Sequence, residues 1–210
     1  MDNKDRPPHF TMIRGFHLAD WFTIGNAFCG MGAVLALMAY LSGELPLGLY
    51  IAAALVPAAF VFDVFDGRIA RWRQTQSALG RELDSLADAI SFGVAPAALG
   101  FAIGLNGVWD CLVLVYFVAC GVSRLARYNI TTEALAADAS GKVKYFEGAP
   151  IPSSVVIVGA LALAAWQGRT DGAIWFGVLQ FAGWQFHPLV LVYLLSGSLM
   201  ISKTIHIPKL

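Results

Sequence analysis

The stretch that organises this sequence is residues 63–88, DVFDGRIARWRQTQSALGRELDSLAD. One apolar run ends immediately before it and another begins immediately after it, so the stretch joins two candidate membrane helices. Asp63 and Asp66 are three residues apart at its start, and Asp84 and Asp88 are four apart at its end. At these spacings the members of each pair share one face of a helix. The sequence therefore predicts two helices that carry two acidic pairs to the same place.

Four carboxylates that converge at the ends of apolar helices repel one another unless a cation lies between them. Carboxylate oxygens suit Mg²⁺ or Mn²⁺, and no cysteine or histidine is near enough in sequence to indicate zinc. The alternative is that the acids form interfacial ion pairs with Arg68, Arg71, Arg73 and Arg81. Ionisable groups at membrane depth are usually functional, so the spacing favours a divalent metal site.

The composition excludes a soluble globular domain. Of 210 residues, 58% are hydrophobic and 13% charged, and the mean hydropathy is +0.66. The formal net charge is zero, so there is no basic surface for nucleic acid. The three cysteines all lie in apolar runs, which argues against a disulfide framework.

We predict an all-α polytopic membrane protein, with an interfacial amphipathic segment at residues 1–20 and a membrane domain at residues 21–210. A disordered tail with a short turn is the alternative for the first segment. About six spans are expected, near residues 21–41, 47–65, 83–105, 108–122, 151–166 and 187–201.

Three connecting segments complete this layout. Residues 66–81 are expected to form a surface helix or a helix extension, and residues 123–149 are the longest polar interval. Residues 173–182 are expected to lie on the membrane surface or to be re-entrant, with a seventh span as the alternative. With both termini in the cytoplasm, Arg169 is the one basic residue of 14 in an outside loop. This asymmetry follows the positive-inside rule and places the acidic pairs at the cytoplasmic face.

Carboxylate-held divalent ions at a membrane face suit phosphoryl or phosphodiester chemistry. Two such ions bind a pyrophosphate and stabilise the charge on the reacting phosphorus and the leaving group. A carboxylate less committed to metal can take a proton from an attacking hydroxyl. Arg71 and the neighbouring arginines are suited to neutralise phosphate oxygens.

The pattern Asp63-x2-Asp66-Gly67-x2-Ala70-Arg71-x8-Gly80-x3-Asp84-x3-Asp88 resembles the signature of the CDP-alcohol phosphotransferases without a departure. Members of that family are integral membrane enzymes that transfer a phosphatidyl-type group from a CDP-linked lipid to an alcohol and release CMP. The resemblance implies that all four aspartates bind two divalent ions, Mg²⁺ or Mn²⁺, and that Asp88 is also the general base. It further implies a homodimer and a CDP-binding set made of Asp66, Gly67, Ala70, Arg71 and Gly80.

Four further motifs look like the phosphatidylserine synthase branch of this family: residues 23–30 (TIGNAFCG), 91–96 (SFGVAP), 124–129 (RLARYN) and 146–152 (FEGAPIP). That branch takes CDP-diacylglycerol and L-serine as substrates. The sequence departs from the branch at Ala19-Asp20, where Pro-Asn is usual, and this leaves the entry of the first helix open. A small enzyme of this branch is expected in a prokaryotic cytoplasmic membrane, with its active site facing the cytoplasm.

The carboxylate of serine needs a cation, which Arg124 or Arg127 is placed to supply, and Ser91 lies one turn after Asp88. The alternatives are that both arginines are positive-inside anchors and that Ser91 bonds only to a preceding carbonyl. Two other functions stay open. One is a sibling enzyme that uses glycerol phosphate or inositol phosphate. The other is a non-catalytic ion-binding transporter, which predicts acids spread through the depth of the membrane.

Overall fold

The computed structural model describes residues 18–73, 78–137, 145–181, 183–202 and 206–208. Its α-helices are α1 (Leu18–Leu41), α2 (Gly48–Arg73), α3 (Ala78–Asp88), α4 (Ala95–Ile103), α5 (Val108–Ala137), α6 (Ser154–Trp166) and α7 (Leu191–Ile201). A π-helical segment, Ala89–Val94, joins α3 to α4, and 3₁₀ turns lie at Ile151–Ser153, Asp171–Ala173 and Pro188–Val190. The first 17 residues of the predicted interfacial segment lie outside the described residues, and α1 begins at Leu18.

Four helical stretches in the described part of the chain are long and apolar enough to cross a membrane: Leu18–Leu41, Gly48–Ile69, Leu79–Ile103 and Val108–Thr131. Two shorter apolar helices, Ile151–Trp166 and Pro188–Ile201, follow them. The prediction of an all-α polytopic membrane protein is therefore confirmed. The last two predicted spans are shorter than the ~20 residues that a perpendicular crossing needs.

The third predicted span is a single helix that changes its pitch after the second acidic pair. The backbone N–H of Ala95 donates to the carbonyl of Ile90, five residues earlier, which is the π-helical pattern. Pro96 follows immediately and has no N–H to donate to the preceding turn. The wider turn thus allows the helical span to continue through Pro96 without a break.

Two segments predicted as polar surface are helical. α2 continues to Arg73, which confirms the alternative of a helix extension. α5 does not end near residue 122 as predicted but continues to Ala137. The physical reason is that Leu125 and Asn129, four residues apart on this extension, are both buried, so one face of the polar stretch packs against the protein.

Small residues let α1 and α2 approach closely, and this pair makes the most extensive helix contact. Ala33, Ala36, Ala52 and Ala59 are buried between neighbouring helices. A Cβ atom at Gly48 would meet the carbonyl group of Ala36. Because α1 packs closely against α2, side chains of α1 can reach a site on α2 and α3.

Two short antiparallel ladders were not predicted. β1 (Tyr145–Glu147) pairs with β4 (His206–Pro208), and β2 (Leu179–Phe181) pairs with β3 (Trp184–Phe186). Gly183, at the turn of the second ladder, has a φ of 81°, a conformation that glycine adopts without strain. Within the described residues between α6 and α7 there is no α-helix, so the alternative of a seventh span at residues 173–182 is not realised.

A buried polar clamp holds this hairpin region to the start of α5. Both the backbone N–H and the ring of His187 bond to the carboxylate of Asp110, the backbone contact being 2.9 Å. The backbone N–H of Gly107 donates to the same carboxylate at 3.0 Å. Asp110 and His187 are both buried. The clamp lies at the end of the bundle opposite to the acidic pairs.

Candidate active site

The two helices that flank residues 74–77 bring the predicted acids together. Asp63 and Asp66 lie on α2, and Asp84 and Asp88 lie on α3. One carboxylate oxygen from each of Asp63, Asp66 and Asp84 lies within 4.8 Å of the other two. Asp88 is one turn beyond this group, near enough to Asp84 and Asp63 for their charges to repel. The structure thus places three of the four carboxylates in one cluster and the fourth beside it.

The donor set of this cluster fits a divalent cation. Asp66 is buried, and Asp63 and Asp84 are half-buried. Among the described residues, Oδ1 of Asp84 is buried and accepts no hydrogen bond. Carboxylates in such a setting are costly to keep charged without a cation, and an all-oxygen set is what Mg²⁺ or Mn²⁺ prefers. The residues present therefore fit the metal that the signature implies.

The first helix supplies a neutral hydrogen-bond donor to each acidic pair. Thr23 Oγ1 donates to Oδ2 of Asp66 at 2.9 Å, and Asn26 Nδ2 donates to Oδ1 of Asp88 at 3.1 Å. Thr23 and Asn26 are buried and three residues apart on α1. They were not predicted as site residues, although both belong to the motif at residues 23–30. Their partners are 43 and 62 residues away, a relationship that helical spacing cannot reveal.

The position at which the sequence departs from the Pro-Asn motif of the branch also lies at this site. Asp20, where the branch usually has asparagine, is buried on α1. It lies near enough to Asp66 for the two charges to repel. Ala19 and Asp20 are both helical, and the residues before Leu18 lie outside the described ranges.

The residues expected to frame the nucleotide lie on the same two helices. Gly67, Ala70 and Arg71 follow Asp66 on α2, and Gly80 lies one turn before Asp84 on α3. The backbone N–H of Gly67 lies beside the carboxylate of Asp66 and favours its charged form. The side chains of Ala70 and Arg71 lie outside the part of the structure that is described. Their backbone positions place them next to the acidic cluster.

The three residues predicted to contact serine have different surroundings. Arg124 on α5 is half-buried, its Nε is buried without a described hydrogen-bond partner, and it interacts electrostatically with Asp88. Arg127 donates from Nη1 to the carbonyl of Ile201 at 3.4 Å, at the end of α7. Ser91 is fully buried, and its hydroxyl donates to the carbonyl of Asn26 at 2.9 Å. The described hydroxyl bond of Ser91 therefore runs to α1, and its contact with the substrate stays a prediction.

Asn129, the last residue of the motif at 124–129, ties α5 to α3 beside the cluster. Its Nδ2 donates to Ser85 Oγ at 3.0 Å and lies 3.3 Å from both carboxylate oxygens of Glu82. The Ser85 hydroxyl is also 3.2 Å from Oδ1 of Asn129. Because Ser85 follows Asp84 directly, this network fixes the rotation of α3 relative to α5 and to Arg124.

Comparison with known proteins decides the family. Residues 16–194 match the family model described as CDP-alcohol phosphatidyltransferase. The chain belongs to this family. The prediction made from the eight signature residues is thereby confirmed, and the CDP-alcohol phosphatidyltransferase domain includes α1 to α6 and the hairpin.

Similar curated members of the family come from a fungus and from bacteria. The chain is 42% identical over 203 residues to a protein from Saccharomyces cerevisiae, an alignment that covers 96% of this chain and 74% of the relative. It is 38% identical over 139 residues to one from Helicobacter pylori, covering 65% and 53% of the two chains. A Bacillus subtilis protein is 33% identical over 132 residues, covering 62% and 66%. All three are named CDP-diacylglycerol–serine O-phosphatidyltransferase.

Proposed function

We infer that this protein is a membrane phosphatidyltransferase that transfers the phosphatidyl group of CDP-diacylglycerol to the hydroxyl of L-serine, giving phosphatidylserine and CMP. The observation that carries this conclusion is the convergence of the signature carboxylates on α2 and α3 in a chain of this family. Serine as the acceptor is supported by the names of the similar proteins, the first of which aligns with 96% of the chain.

Asp63, Asp66 and Asp84 would hold the divalent metal, with Asp88 as the fourth ligand of a two-ion site. When bound, Mg²⁺ or Mn²⁺ neutralises charge on the pyrophosphate and on the departing phosphate oxygen. The carboxyl oxygens of the chain provide the binding, and Thr23 limits the rotation of one of them through its hydrogen bond to Asp66.

Asp88 has the surroundings of a general base. It lies beside the metal-binding group, is buried, and is held by Asn26 through one oxygen. In the proposed reaction the serine hydroxyl transfers its proton to Asp88 as its oxygen forms a bond to the lipid-linked phosphorus. The bond from that phosphorus to the bridging oxygen breaks, and CMP leaves with the bridging oxygen.

Arg124 is the better candidate for the carboxylate of serine. Its guanidinium interacts electrostatically with Asp88, and its Nε has no described partner, so it has a donor to offer a substrate anion. Arg127 is also proposed, in a weaker role, because it is bonded to the carbonyl of Ile201. Ser91, whose hydroxyl bonds to the carbonyl of Asn26, is proposed in a weaker role still. The CDP group is proposed to be framed by Asp66, Gly67, Ala70, Arg71 and Gly80.

We further propose that the acidic cluster faces the cytoplasm. Exposed tryptophans lie at both ends of the bundle, Trp21 and Trp72 at the end with the cluster and Trp166 and Trp184 at the other, as expected for two membrane interfaces. Among the residues whose side chains are described, four arginines lie on the helical segments at the end with the cluster, Arg68, Arg81, Arg124 and Arg127, and Arg169 follows α6 at the other end. A cytoplasmic membrane location and a homodimer follow from the family resemblance. Accessibility labelling of single cysteines tests the cytoplasmic orientation of the cluster. Cross-linking in membranes tests the homodimer.

The deciding experiment is CMP release by the purified protein in detergent with CDP-diacylglycerol, with and without Mn²⁺ or Mg²⁺ and L-serine. Release that requires metal and serine is the expected result. Release with glycerol 3-phosphate or inositol phosphate but not with serine would reassign the acceptor. No release with any acceptor would favour the transporter. Against that alternative, the buried carboxylate described at the opposite end, Asp110, is bonded to His187 and does not extend a path of acids.

A further inference from the structure

We propose that Asn26 is a positioning residue for Asp88, holding the carboxylate in the orientation from which it accepts the proton of the attacking hydroxyl. The proposal rests on the role of Asp88 in the proposed function. It is carried by the hydrogen bond from Asn26 Nδ2 to Oδ1 of Asp88, 3.1 Å long, between residues that are 62 apart in sequence.

Asp88 lies where the helix changes its pitch. It is the last residue of α3, and the π-helical segment begins at the next residue. The wider turn changes the spacing of the side chains that follow. The described hydrogen bond to the carboxylate of Asp88 comes from another helix, from Asn26 on α1.

Asn26 is attached to that junction at two points. Its side chain donates to Asp88, and its backbone carbonyl accepts the hydroxyl of Ser91, one turn later, at 2.9 Å. α1 and the π-helical segment are in direct contact here, because a Cβ atom at Gly30 would meet the backbone and hydroxyl of Ser91. The close approach brings the short asparagine side chain within hydrogen-bond distance of the carboxylate.

The amide of Asn26 is oriented by Asp88. Asn26 is fully buried, and its Oδ1 accepts no hydrogen bond from the described residues. A buried unsatisfied carbonyl is costly for stability. A structural role alone would favour an apolar side chain of the same shape at this position. The donated bond occupies Oδ1 of Asp88 and leaves Oδ2 to receive the proton.

The test compares Asn26→Leu and Asn26→Ala with the wild type in the CMP-release assay. Leucine keeps the branching of asparagine, with larger terminal groups, and removes its donor, whereas alanine removes both the bulk and the donor. Loss of a hydrogen bond to a charged group predicts a fall in kcat of roughly 10- to 100-fold for both variants. At saturating Mn²⁺, KM for both substrates is expected to stay within about twofold of the wild type.

Tyr193→Phe is the matched control. Tyr193 is fully buried and donates to the carbonyl of Pro96 at 2.6 Å, so the variant also loses a buried bond between helices. It is expected to lower Tm and to keep kcat. A leucine variant with wild-type kcat would overturn the proposal in favour of packing, and so would a rise in KM at constant kcat.

Failure of the proposed function gives a different result. If the wild type turns over only with an acceptor other than serine, the serine assignment fails, and the Asn26 comparison is made with that acceptor. If the wild type releases no CMP with any acceptor, both proposals are overturned.

Discussion

Thr23 on α1 donates a 2.9 Å hydrogen bond to Asp66 on α2, and both residues are buried. Thr23→Val keeps the shape of the side chain and removes this donor. We expect Mn²⁺ affinity to fall about tenfold, because a bond to a charged group contributes about 1.5–3 kcal/mol and holds the carboxylate toward the cation. Mn²⁺ binding followed by electron paramagnetic resonance measures the change. Thr23→Ser, which keeps the hydroxyl, should bind Mn²⁺ nearly as the wild type does, and equal losses in both variants would contradict the assigned role.

Asp63→Asn and Asp88→Asn should fail in different ways. Asp63 belongs to the carboxylate cluster, so its loss should weaken Mn²⁺ binding itself. Asp88 lies one turn beyond the cluster, so its loss should abolish turnover, by at least about 10³-fold, while largely sparing the binding of CDP-diacylglycerol. Lipid binding is read from the substrate-induced shift in Tm. Retained activity in either variant would contradict the role given to that residue.

Replacing Arg124 and replacing Arg127 should have different effects on the KM for serine. For Arg124→Ala we expect KM for serine to rise at least about tenfold, because a charge-assisted bond to the carboxylate is lost. KM for CDP-diacylglycerol should change much less. Arg127→Ala should instead lower Tm, because its bond to the carbonyl of Ile201 joins α5 to the end of α7. A larger increase in KM for serine in Arg127→Ala than in Arg124→Ala would reverse this assignment.

Ser91→Ala tests the predicted contact between Ser91 and serine. The variant loses the bond to the carbonyl of Asn26. We therefore expect the free energy of unfolding to fall by roughly 1 kcal/mol, the contribution of one neutral buried hydrogen bond, and Tm to fall with it. KM for serine should stay within about twofold, since the hydroxyl faces α1. An increase of tenfold or more in that KM would assign Ser91 to the acceptor site.

Asp110→Ala should destabilise the protein without changing its chemistry. The backbone N–H groups of Gly107 and His187 lose their acceptor, and buried donors without a partner cost about 1–3 kcal/mol each. Tm measured by a thiol-reactive dye should fall, while kcat at low temperature should match the wild type. Asp110→Asn keeps one acceptor oxygen and should be intermediate. Loss of kcat in folded Asp110→Ala would connect this clamp to the active site.

Local sequence patterns were sufficient to predict the acidic pairs and the positions of the apolar helices. The spacing of Asp63 with Asp66 and of Asp84 with Asp88 depends only on helix periodicity, and the apolar runs depend only on length. The extension of α5 was missed because polarity alone marked residues 123–137 as surface. A polar helical face that lines a polar site inside the protein has the same composition as a face in water.

The donors from α1 could not be assigned for a different reason. Thr23 and Asn26 act on carboxylates of other helices, and which helix faces meet is a property of the packed bundle. The same holds for Asn129, whose partners are on α3. The β2–β3 hairpin was missed because an aromatic-rich interruption between apolar segments is equally consistent with a re-entrant loop.

The π-helical segment between Asp88 and Pro96 also constrains how this chain can change in length. This turn already holds about one residue more than an α-helical turn, so a further inserted residue would rotate everything on one side by about 100° relative to the other side. The carboxylates of α3 and the buried face of α4 would then no longer point inward together. Substitutions can accumulate around this turn, but single-residue insertions within it should be absent from functional descendants of the protein.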